Sequence, residues 1–598
     1  MIIPRSGIRR FFPFMDWFDV YSAAMFRKDG MAGLTVAIVL IPQSMAYAML
    51  AGLPPVYGLY AATIAPVLAA LWGSLRQMAS GPIAIMSLLV LTSLSTVARP
   101  GSPEFIELSF LLGFMVGVIY LLVGMFRMGV IMAFISHSAV KGFTSAAALI
   151  IISTQLPHLT GIQVPHHEYV IFKFIAIAKS LGSVHWPTLG IGALALVIIS
   201  LVKRYWPNFP AAMLALAVTG ALVVWLDLEQ TGIAVIGSVQ GGLPSFHLPP
   251  FDFRMMITLM GPAIVIAMVS FAETYSVGKS VAGQTGQKLN VNQEFLGQGL
   301  ANLVGSFFQC YPTSGSFSRT AINFSTGAKT GVASVITSLG VVVALLFLTP
   351  WLTHLPKAAL AALVINAVLM LFDPREVFRL WKMNRHDGIV AICVFSLSLL
   401  TKPDYALLIG VIMSLMFFLW KTMHPRIVRI SKSPEMGMFT NADMAGIPSC
   451  PQILQLRSDN SIFFANAEYT VATIMARYAE QKRHPEFLLL DLQSMTFIDI
   501  TGVNELQVLK RDLGQYGTKL ALMEIHLPVK KVFESSGFFR EMNPDLIFHK
   551  RGDAYERLFN LLDHSYCQQK CRYALFHECH TIKACQSKTE VVCQYPDT

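Results

Sequence analysis

Charged side chains are scarce in this sequence. Asp, Glu, Lys and Arg make up 13% of its 598 residues, whereas hydrophobic residues make up 54%. A soluble domain carries roughly 25% charged residues, so the chain is not a series of ordinary soluble domains. Its hydrophobic content is also far above that of disordered chains. With 8 Cys, and with 42 Gly that follow no period, disulfide-framework and collagen-like proteins are excluded as well.

The few charges are unevenly distributed. Residues 1–426 contain 26 Lys and Arg but 15 Asp and Glu, whereas residues 427–598 contain 19 and 20. The first part is therefore typical of a membrane-embedded block and the second of a water-soluble domain. The basic excess lies in the membrane block, where it suits the positive-inside rule and an anionic substrate better than nucleic acid.

Apolar segments of membrane-spanning length recur from about residue 31 to about residue 422, and they predict about 14 spans, two of them short. Residues 1–28 lack the apolar core and cleavage site of a signal peptide, so we expect a cytoplasmic N-terminal segment. Lys and Arg concentrate in alternate loops. This favours an even number of spans, with both termini in the cytoplasm.

The membrane block also shows signs of an internal repeat. Gln43 in the first span precedes an abrupt helix start at Gly81-Pro82, and Glu273 in the eighth span precedes a second abrupt start after Pro312. Two short, interrupted spans at matching places in two halves indicate an inverted repeat with a binding site at the bilayer midplane. The alternative is that both are ordinary loops rich in turn residues.

Residues 451–563 alternate between strand and helix patterns, which predicts a small cytoplasmic α/β domain. The runs ILQLR, SIFFAN, FLLLDL and KLALMEI are typical of strands, and longer amphipathic stretches between them are typical of helices. We expect residues 427–450 to be a linker. Residues 564–598 show no periodicity, and we expect this tail to be disordered.

Several stretches of the chain resemble the SulP sulfate permease family. They are GLTVAIVLIPQSMAYAMLAGLPPVYGLY (33–60), SGPIAIMSLL (80–89), NQEFLGQGLANLVGSFF (292–308) and YPTSGSFSRTAINFSTGAKT (311–330). In the tail, LLLDLQSMTFIDITGVNEL (488–506) is similar to the STAS domain that these permeases share with anti-sigma-factor antagonists.

The resemblance implies a polytopic α-helical membrane domain over 29–426, with seven-plus-seven inverted-repeat topology, core and gate subdomains, and a cytoplasmic STAS domain. Members are usually homodimers that carry anions by an elevator-like motion. We expect this protein to lie in the cell membrane. Sulfate is the best single candidate for the substrate. Exchange, or carriage of bicarbonate or dicarboxylates, stays open, and an anion channel or a STAS-linked sensor is the alternative from another class. No cofactor and no enzymatic activity are expected, because the spans contain no nucleophile–base pair or metal cluster.

The two short spans begin at helix N-termini, which expose free N–H groups and carry about half a positive charge each. Two such ends opposed in an apolar setting favour an anion, and the resemblance implies that the anion is bound between them. Helix capping uses the same donors and is compatible with binding. The candidate residues at these two starts are Gly81, Ile83, Ala84, Gly315, Ser316, Phe317 and Ser318.

Gln43 and Tyr47 lie four residues apart, on one face of the first span. Gln43 offers an amide donor, and the ring of Tyr47 can line a pocket. The resemblance places this span at the substrate, whereas an ordinary polar contact between helices is the alternative.

Arg319 and Glu273 are the charged candidates, because a charge at membrane depth is costly and usually functional. Arg319 either complements the anion, holds an acidic partner or extends towards water. Glu273 either binds a co-transported proton or Na⁺, or neutralises Arg319. We favour proton-coupled symport.

Two features of the soluble part are candidate regulatory elements. Thr501 occupies the place at which a Ser is phosphorylated in the antagonists that this domain resembles; Thr and Asp are also helix caps, which we favour here. Five of the eight Cys fall in the last 32 residues, together with His564, His577 and His580. Their spacing is unlike the strong zinc templates, so we expect a disordered or redox-sensitive tail without a bound metal.

Overall fold

Apolar runs in the first 415 residues form helices, because a segment inside a bilayer must satisfy its own backbone hydrogen bonds. We describe the chain from a computed structural model, which covers residues 12–19, 21–129, 136–165, 170–206, 209–237, 241–401, 403–433, 437–573, 575, 576 and 579. The chain divides into two units, Met1–Leu415 and Met416–Thr598.

The helices up to the end of the last apolar run are α1 Met15–Phe18, α2 Ala23–Leu50, α3 Pro55–Trp72, α4 Ala84–Leu94, α5 Pro103–Met125, α6 His137–Thr160, α7 Val170–Lys179, α8 Trp186–Tyr205, α9 Ala211–Trp225, α10 Phe253–Thr285, α11 Val291–Ser306, α12 Phe317–Ser325, α13 Val332–Val343, α14 Thr349–Leu352, α15 Lys357–Leu369, α16 Pro374–Met383, α17 Arg385–Leu400 and α18 Pro403–Met423. Within the described ranges, nine helical stretches are long and apolar enough to cross a bilayer. The predicted polytopic helical membrane domain is confirmed.

The two halves of this unit repeat one order of elements. In the first half, α2 and α3 are followed by the two-residue strand β1, Ser80–Gly81, and by the short helix α4. In the second half, α10 and α11 are followed by β2, Ser314–Gly315, and by the short helix α12. The strands pair antiparallel, with Ser80 opposite Gly315 and Gly81 opposite Ser314. Both abrupt helix starts that the sequence predicts therefore lie side by side.

Two buried carboxylates join distant parts of the unit. Asp29 on α2 accepts hydrogen bonds from the backbone N–H of Thr330 at 3.1 Å and from its hydroxyl at 2.6 Å. Glu294 on α11 accepts from the backbone N–H of Ser74 at 2.6 Å, from its hydroxyl at 2.8 Å and from the N–H of Leu75 at 2.8 Å. Buried carboxylates are stable only when they are hydrogen-bonded in this way.

The second unit is an α/β domain. Its six-stranded sheet has the order β4-β3-β5-β6-β7-β8, in which β5 to β8 are parallel and β3 pairs antiparallel with both neighbours. The strands are β3 Ile427–Lys432, β4 Phe439–Asn441, β5 Ile453–Ser458, β6 Phe487–Asp491, β7 Lys519–Met523 and β8 Ile547–Phe548. The helices are α19 Ala442–Ala445, α20 Ala467–Ala479, α21 Ile500–Gln515, α22 Leu527–Ser535, α23 Phe538–Glu541, α24 Arg551–Asn560 and α25 His564–Gln569.

Two expectations about this domain need correction. Residues 427–450 are not a linker, because they contain β3 and β4, and β3 pairs with β5 in the same sheet. The run SIFFAN does not form a strand. Ile462 makes only an isolated bridge to Ile498, and the chain then turns into α20.

The start of the Cys-containing tail is ordered, contrary to our expectation of disorder from residue 564 onward. Residues 564–569 form α25, and Cys567 is buried. The side chain of Gln452 donates to Cys567 Sγ at 3.0 Å and accepts from the backbone N–H of Asp563 at 3.1 Å, which holds this segment on the domain. Cys585, Cys593, His577 and His580 lie outside the described residues.

Candidate functional site

The short helices α4 and α12 begin in different ways. Ile83, the residue before α4, is extended, and its side chain caps no N–H group of the helix. Ser316, the residue before α12, is also extended, and its hydroxyl accepts a hydrogen bond from the backbone N–H of Arg319 at 3.4 Å. The first turn of α4, which begins at Ala84, therefore offers backbone donors without a side-chain cap.

Hydrogen bonds between the halves hold these starts in register. The N–H of Ser316 donates to the carbonyl of Ala79 at 2.8 Å, and the N–H of Ala79 donates to the hydroxyl of Thr320 at 3.0 Å. Gly81 has a φ of +141°, a conformation that side chains rarely adopt, and a Cβ there would lie 3.4 Å from Arg319 Nη2. The backbone of β1 thus lies directly against the guanidinium group.

Arg319 is fully buried, with 1% of its surface exposed. Neither Nε nor Nη2 has a hydrogen-bond partner among the described residues, and no carboxylate in that part of the chain forms an ion pair with it. A buried charge without a partner is costly. Within the described part of the chain, the side chain is therefore a cation without an acidic partner, at the place where the two short helices begin.

Glu273 lies on α10, next to Thr274, whose side chain is hydrogen-bonded to β2. The hydroxyl of Thr274 accepts from the N–H of Gly315 at 3.1 Å and lies 3.2 Å from the hydroxyl of Ser314. Glu273 itself is half-buried, and within the described ranges it forms no ion pair with Arg319. The alternative in which these two residues neutralise each other is therefore not what the structure has.

Tyr47 connects the two charged candidates with the first span. It is 5% exposed and lies within electrostatic range of both Arg319 and Glu273. On the same helix, Gln43 is 9% exposed, and its carbonyl oxygen is buried without a partner among the described residues. The structure thus brings the candidates of the first span to the same region as Arg319.

Phe317 and Ser318 differ from the other candidates, because both are exposed. Phe317 has 60% of its surface exposed, so its ring is not enclosed by protein. The hydroxyl of Ser318 lies 3.4 Å from that of Ser316, at the limit of a hydrogen bond.

A buried polar layer, which was not predicted from the sequence, lies behind the site. The hydroxyl of Tyr311 lies 3.2 Å from that of Ser87, in the first turn of α4, and the Tyr311 phenol also interacts electrostatically with Arg319. Asn302 accepts from the N–H of Thr313 at 2.8 Å. Polar side chains in the apolar run 292–308 were the available signal, since buried polar groups are nearly always hydrogen-bonded.

In the α/β domain, Asp499 is the cap of α21. One carboxylate oxygen accepts from the N–H of Gly502 at 2.9 Å, and the other accepts from the N–H of Phe464 at 2.8 Å. Thr501 is half-buried and is the second residue of the helix. Modification of Thr501 stays a prediction.

Four cysteines, Cys450, Cys567, Cys571 and Cys579, line one small apolar cavity of this domain. Burial raises the pKa of Cys450 to about 12 and that of Cys567 to about 11. Among the described residues, no group of three or more His, Cys, Asp or Glu is placed to hold a metal ion. Cys450 and Cys567 are therefore protonated thiols at neutral pH.

Comparison with known proteins places these features in a family. The profile of the sulfate permease family matches residues 26–394, and that of the STAS domain matches residues 441–554. Sulfate transporter 4.1, chloroplastic, of Arabidopsis thaliana is 32% identical over 94% of this chain and 84% of its own length. A probable sulfate transporter of Mycobacterium tuberculosis is 30% identical over 92% of this chain and 98% of its own length.

Solved structures show the same fold at lower identity. Murine solute carrier 26 family member A9, an anion transporter in the inward-facing state, matches with a TM-score of 0.84 at 24% identity, over 94% of this chain and 96% of that one. The transmembrane domain of the cyanobacterium bicarbonate transporter BicA matches with a TM-score of 0.57 at 20% identity, over 66% of this chain and 98% of that one. The chain therefore belongs to the sulfate permease family and carries a C-terminal STAS domain.

Proposed function

We propose that this member of the sulfate permease family is a secondary active transporter of inorganic anions, with sulfate as its substrate and a proton as the coupled ion. The observation that carries the proposal is Arg319, a buried guanidinium group whose Nε and Nη2 have no partner among the described residues. It lies against Gly81, where the two short helices begin. Such a group binds an anion because the anion compensates a charge that is already desolvated.

The charge of the proposed site matches that of sulfate. Two helix N-termini contribute about half a positive charge each, and Arg319 contributes one more. The total is roughly two positive charges, which balances a dianion. Backbone N–H groups at Ala84 and the hydroxyl of Ser316 would supply hydrogen bonds in addition, and bonds to charged groups are the stronger ones.

The relatives favour sulfate over bicarbonate. Several relatives that are at least 30% identical over most of this chain, among them the Arabidopsis and Mycobacterium proteins, are named as sulfate transporters or probable sulfate transporters. The bicarbonate transporter shares the fold at 20% identity. An identity this low supports a common fold but not a common substrate. Sulfate is therefore the first anion to test, with bicarbonate and dicarboxylates as competitors.

Glu273 is our candidate for proton coupling. It is a carboxylate within α10, it lies within electrostatic range of Tyr47, and it is not engaged by Arg319. If Glu273 were ionised, the loaded site would carry about one net negative charge, which is costly to move across a bilayer. A proton on Glu273 removes that charge when sulfate loads. Coupling to Na⁺ or anion exchange is the alternative.

We also propose the membrane, the orientation and the oligomeric state of the transporter. The concentration of Lys and Arg in alternate loops supports a cell-membrane protein with both termini and the STAS domain in the cytoplasm. The family supports a homodimer. Cross-linking of the full-length protein in membranes, together with protease access to the STAS domain in sealed vesicles of known orientation, tests both points.

Transport into proteoliposomes tests the function. Purified full-length protein should concentrate radiolabelled sulfate when the lumen is made alkaline, and it should not do so when the gradient is abolished. Saturable uptake that is driven uphill argues against a channel, and any net uptake argues against a pure sensor. Uptake that requires an anion on the opposite side, and that ignores the pH gradient, would show an exchanger and contradict symport.

A further inference from the structure

A polar cavity of about 180 Å³ lies in the membrane domain, where the N-terminal segment meets two loops. One loop follows α3, and the other connects α10 with α11, so each repeat contributes one loop. A single buried water needs only roughly 10–15 Å³ of such space, so the cavity has room for a ligand larger than water. The residues that matter here are Asp16, Trp17, Ser74, Arg76, Gln287 and Lys288.

Two cations line this cavity without partners. Within the described part of the chain, no carboxylate or hydrogen-bond acceptor engages the guanidinium of Arg76 or the ammonium of Lys288. Arg76 is half-buried and Lys288 is exposed. Among the described lining residues, the charged side chains are Asp16, Arg76 and Lys288, so cations outnumber carboxylates there. Two like charges that face one space repel each other unless an anion lies between them.

The two cation-bearing loops are held together by hydrogen bonds, so the cavity is largely preformed. The side chain of Gln287 accepts from the backbone N–H of Arg76 at 3.3 Å and donates to Gln77 at 2.6 Å. The hydroxyl of Ser74 accepts from the N–H of Asn290 at 3.2 Å. Preorganised loops favour binding, because little further order has to be imposed on the chain.

Trp17 lines the cavity, and further aromatic rings pack around the N-terminal segment beside it. Phe12 and Phe14 pack against Trp72, with ring centroids 6.0 and 5.8 Å apart, and Trp17 is buried against Gly331, where a Cβ would meet its ring. Aromatic residues at the ends of spans are typical of the membrane–water interface, where phospholipid headgroups lie.

From this geometry we infer that the cavity is a second anion site, separate from Arg319, which binds a phosphate-type oxyanion between Arg76 and Lys288. The guanidinium of Arg76 suits the planar, two-point contact that phosphate oxygens offer, and Lys288 adds a point charge. The oxyanion is either free in solution or part of a phospholipid headgroup. Because Arg76 lies shortly before β1, such a ligand binds the N-terminal segment to the loop that leads into the proposed transport site.

Thermal unfolding of the full-length protein tests the site, since a ligand that binds only the folded state raises the melting temperature. One arm titrates inorganic phosphate into protein in detergent. The other compares nanodiscs of phosphatidylcholine with nanodiscs that also contain phosphatidylglycerol. The variant Arg76→Gln/Lys288→Gln is compared with Arg375→Gln/Lys382→Gln, which removes the same charge from exposed positions of α16.

We expect the Arg76→Gln/Lys288→Gln variant to lose at least tenfold in apparent affinity in the arm that contains the true ligand, whereas the α16 variant keeps it. Dependence on phosphate assigns a free oxyanion, and dependence on phosphatidylglycerol assigns a lipid headgroup. Equal responses of both variants and the wild type in both arms would overturn the inference.

If the Arg76→Gln/Lys288→Gln protein does not fold, a second variant tests the same site. Lys288→Gln alone changes an exposed side chain and should weaken binding of the same probe severalfold. A folded Lys288→Gln protein whose affinity for both probes equals that of the wild type contradicts the site. The central site is unchanged in every variant, so these outcomes are independent of sulfate transport.

Discussion

Gly81 and Arg319 come from opposite halves of the membrane domain and lie next to each other. A Cβ atom at position 81 would lie 3.4 Å from Arg319 Nη2, and Gly81 has a φ of +141°. Glycine is needed for this backbone conformation. Because glycine has no side chain, the guanidinium group of Arg319 can lie close to the backbone at position 81. The repeat therefore places a glycine of one half against the cation of the other.

Gly81→Ala should reduce both stability and sulfate binding. A side chain in that backbone region costs about 1–3 kcal/mol, and the new methyl group would lie in van der Waals contact with Arg319 Nη2, where it limits access to the guanidinium group. Gly101→Ala is the matched control, because Gly101 also has a positive φ, of +78°, but has nothing within 4 Å of its Cβ position. We expect both variants to melt earlier and only Gly81→Ala to bind sulfate more weakly in calorimetry. Equal sulfate affinity of the two variants would argue against a site at Gly81.

Arg319→Met should separate binding from stability. The change removes an uncompensated buried charge, so the sulfate-free protein should be as stable as the wild type or more stable. Truncating one partner of a buried charge pair costs about 2–5 kcal/mol, so sulfate affinity should fall about thirtyfold or more. The measurement is the melting temperature with and without sulfate, with Arg375→Met on the exposed face of α16 as control. A variant that sulfate stabilises as much as the wild type would rule out Arg319 as the ligand.

Ser316→Ala should weaken sulfate binding more than Ser318→Ala. Ser316 is buried, and its hydroxyl caps α12 by accepting a hydrogen bond from the backbone N–H of Arg319, whereas Ser318 is exposed. Loss of the cap costs about 1 kcal/mol of stability, and loss of a hydrogen bond to a charged ligand costs roughly tenfold in affinity. Ser325→Ala, at the other end of α12, is the control. If calorimetry gives unchanged sulfate affinity for both Ser316→Ala and Ser318→Ala, the anion is not bound at this helix start.

Periodicity and spacing predicted the frame of the site, but not the partners within it. The membrane domain, the repeat and the two abrupt helix starts follow from apolar run length and from turn residues such as Gly81 and Pro312. That Arg319 has no acidic partner among the described residues depends on how distant segments pack, which no local pattern contains. The contact between Tyr311 and Ser87 joins residues 224 positions apart for the same reason.

Short elements were the other failure of the sequence analysis. β3 is six residues long, and three of its residues, Arg429, Ser431 and Lys432, are polar, so it resembled a polar linker until its pairing with β5 was known. α25 also has six residues, too few to show a helical period. Its position depends on Gln452, which is more than a hundred residues away.

Cys450 and Cys567 should react slowly with alkylating reagents in the native protein. Burial raises their pKa values to about 12 and about 11, and only the thiolate is reactive. At pH 8 the thiolate fraction of Cys567 is about one in a thousand, so its labelling rate should rise tenfold for each unit of pH up to its pKa. Mass spectrometry of iodoacetamide-treated protein measures this, with denatured protein as control. Equal rates at pH 8 in native and denatured protein would contradict the burial.

Glu273→Gln should abolish coupling and leave binding intact. The amide resembles the protonated carboxyl group, so the loaded site stays close to neutral and crosses the bilayer as in the protonated wild type. Sulfate affinity and sulfate–sulfate exchange should therefore persist in proteoliposomes, whereas accumulation driven by an imposed pH gradient should be lost. Glu107→Gln, which removes a carboxylate that contacts His247 at 2.7 Å, controls for the loss of one acid elsewhere in the membrane domain.

The contrast between exchange and accumulation makes this test decisive. Exchange returns the carrier loaded in both directions, so it needs no net proton movement, whereas accumulation requires the empty carrier to return after the proton has left. A Glu273→Gln protein that exchanges normally but does not accumulate sulfate assigns the proton to Glu273. If that variant still concentrates sulfate under the gradient, Glu273 does not carry the coupled proton, and another titratable group must do so.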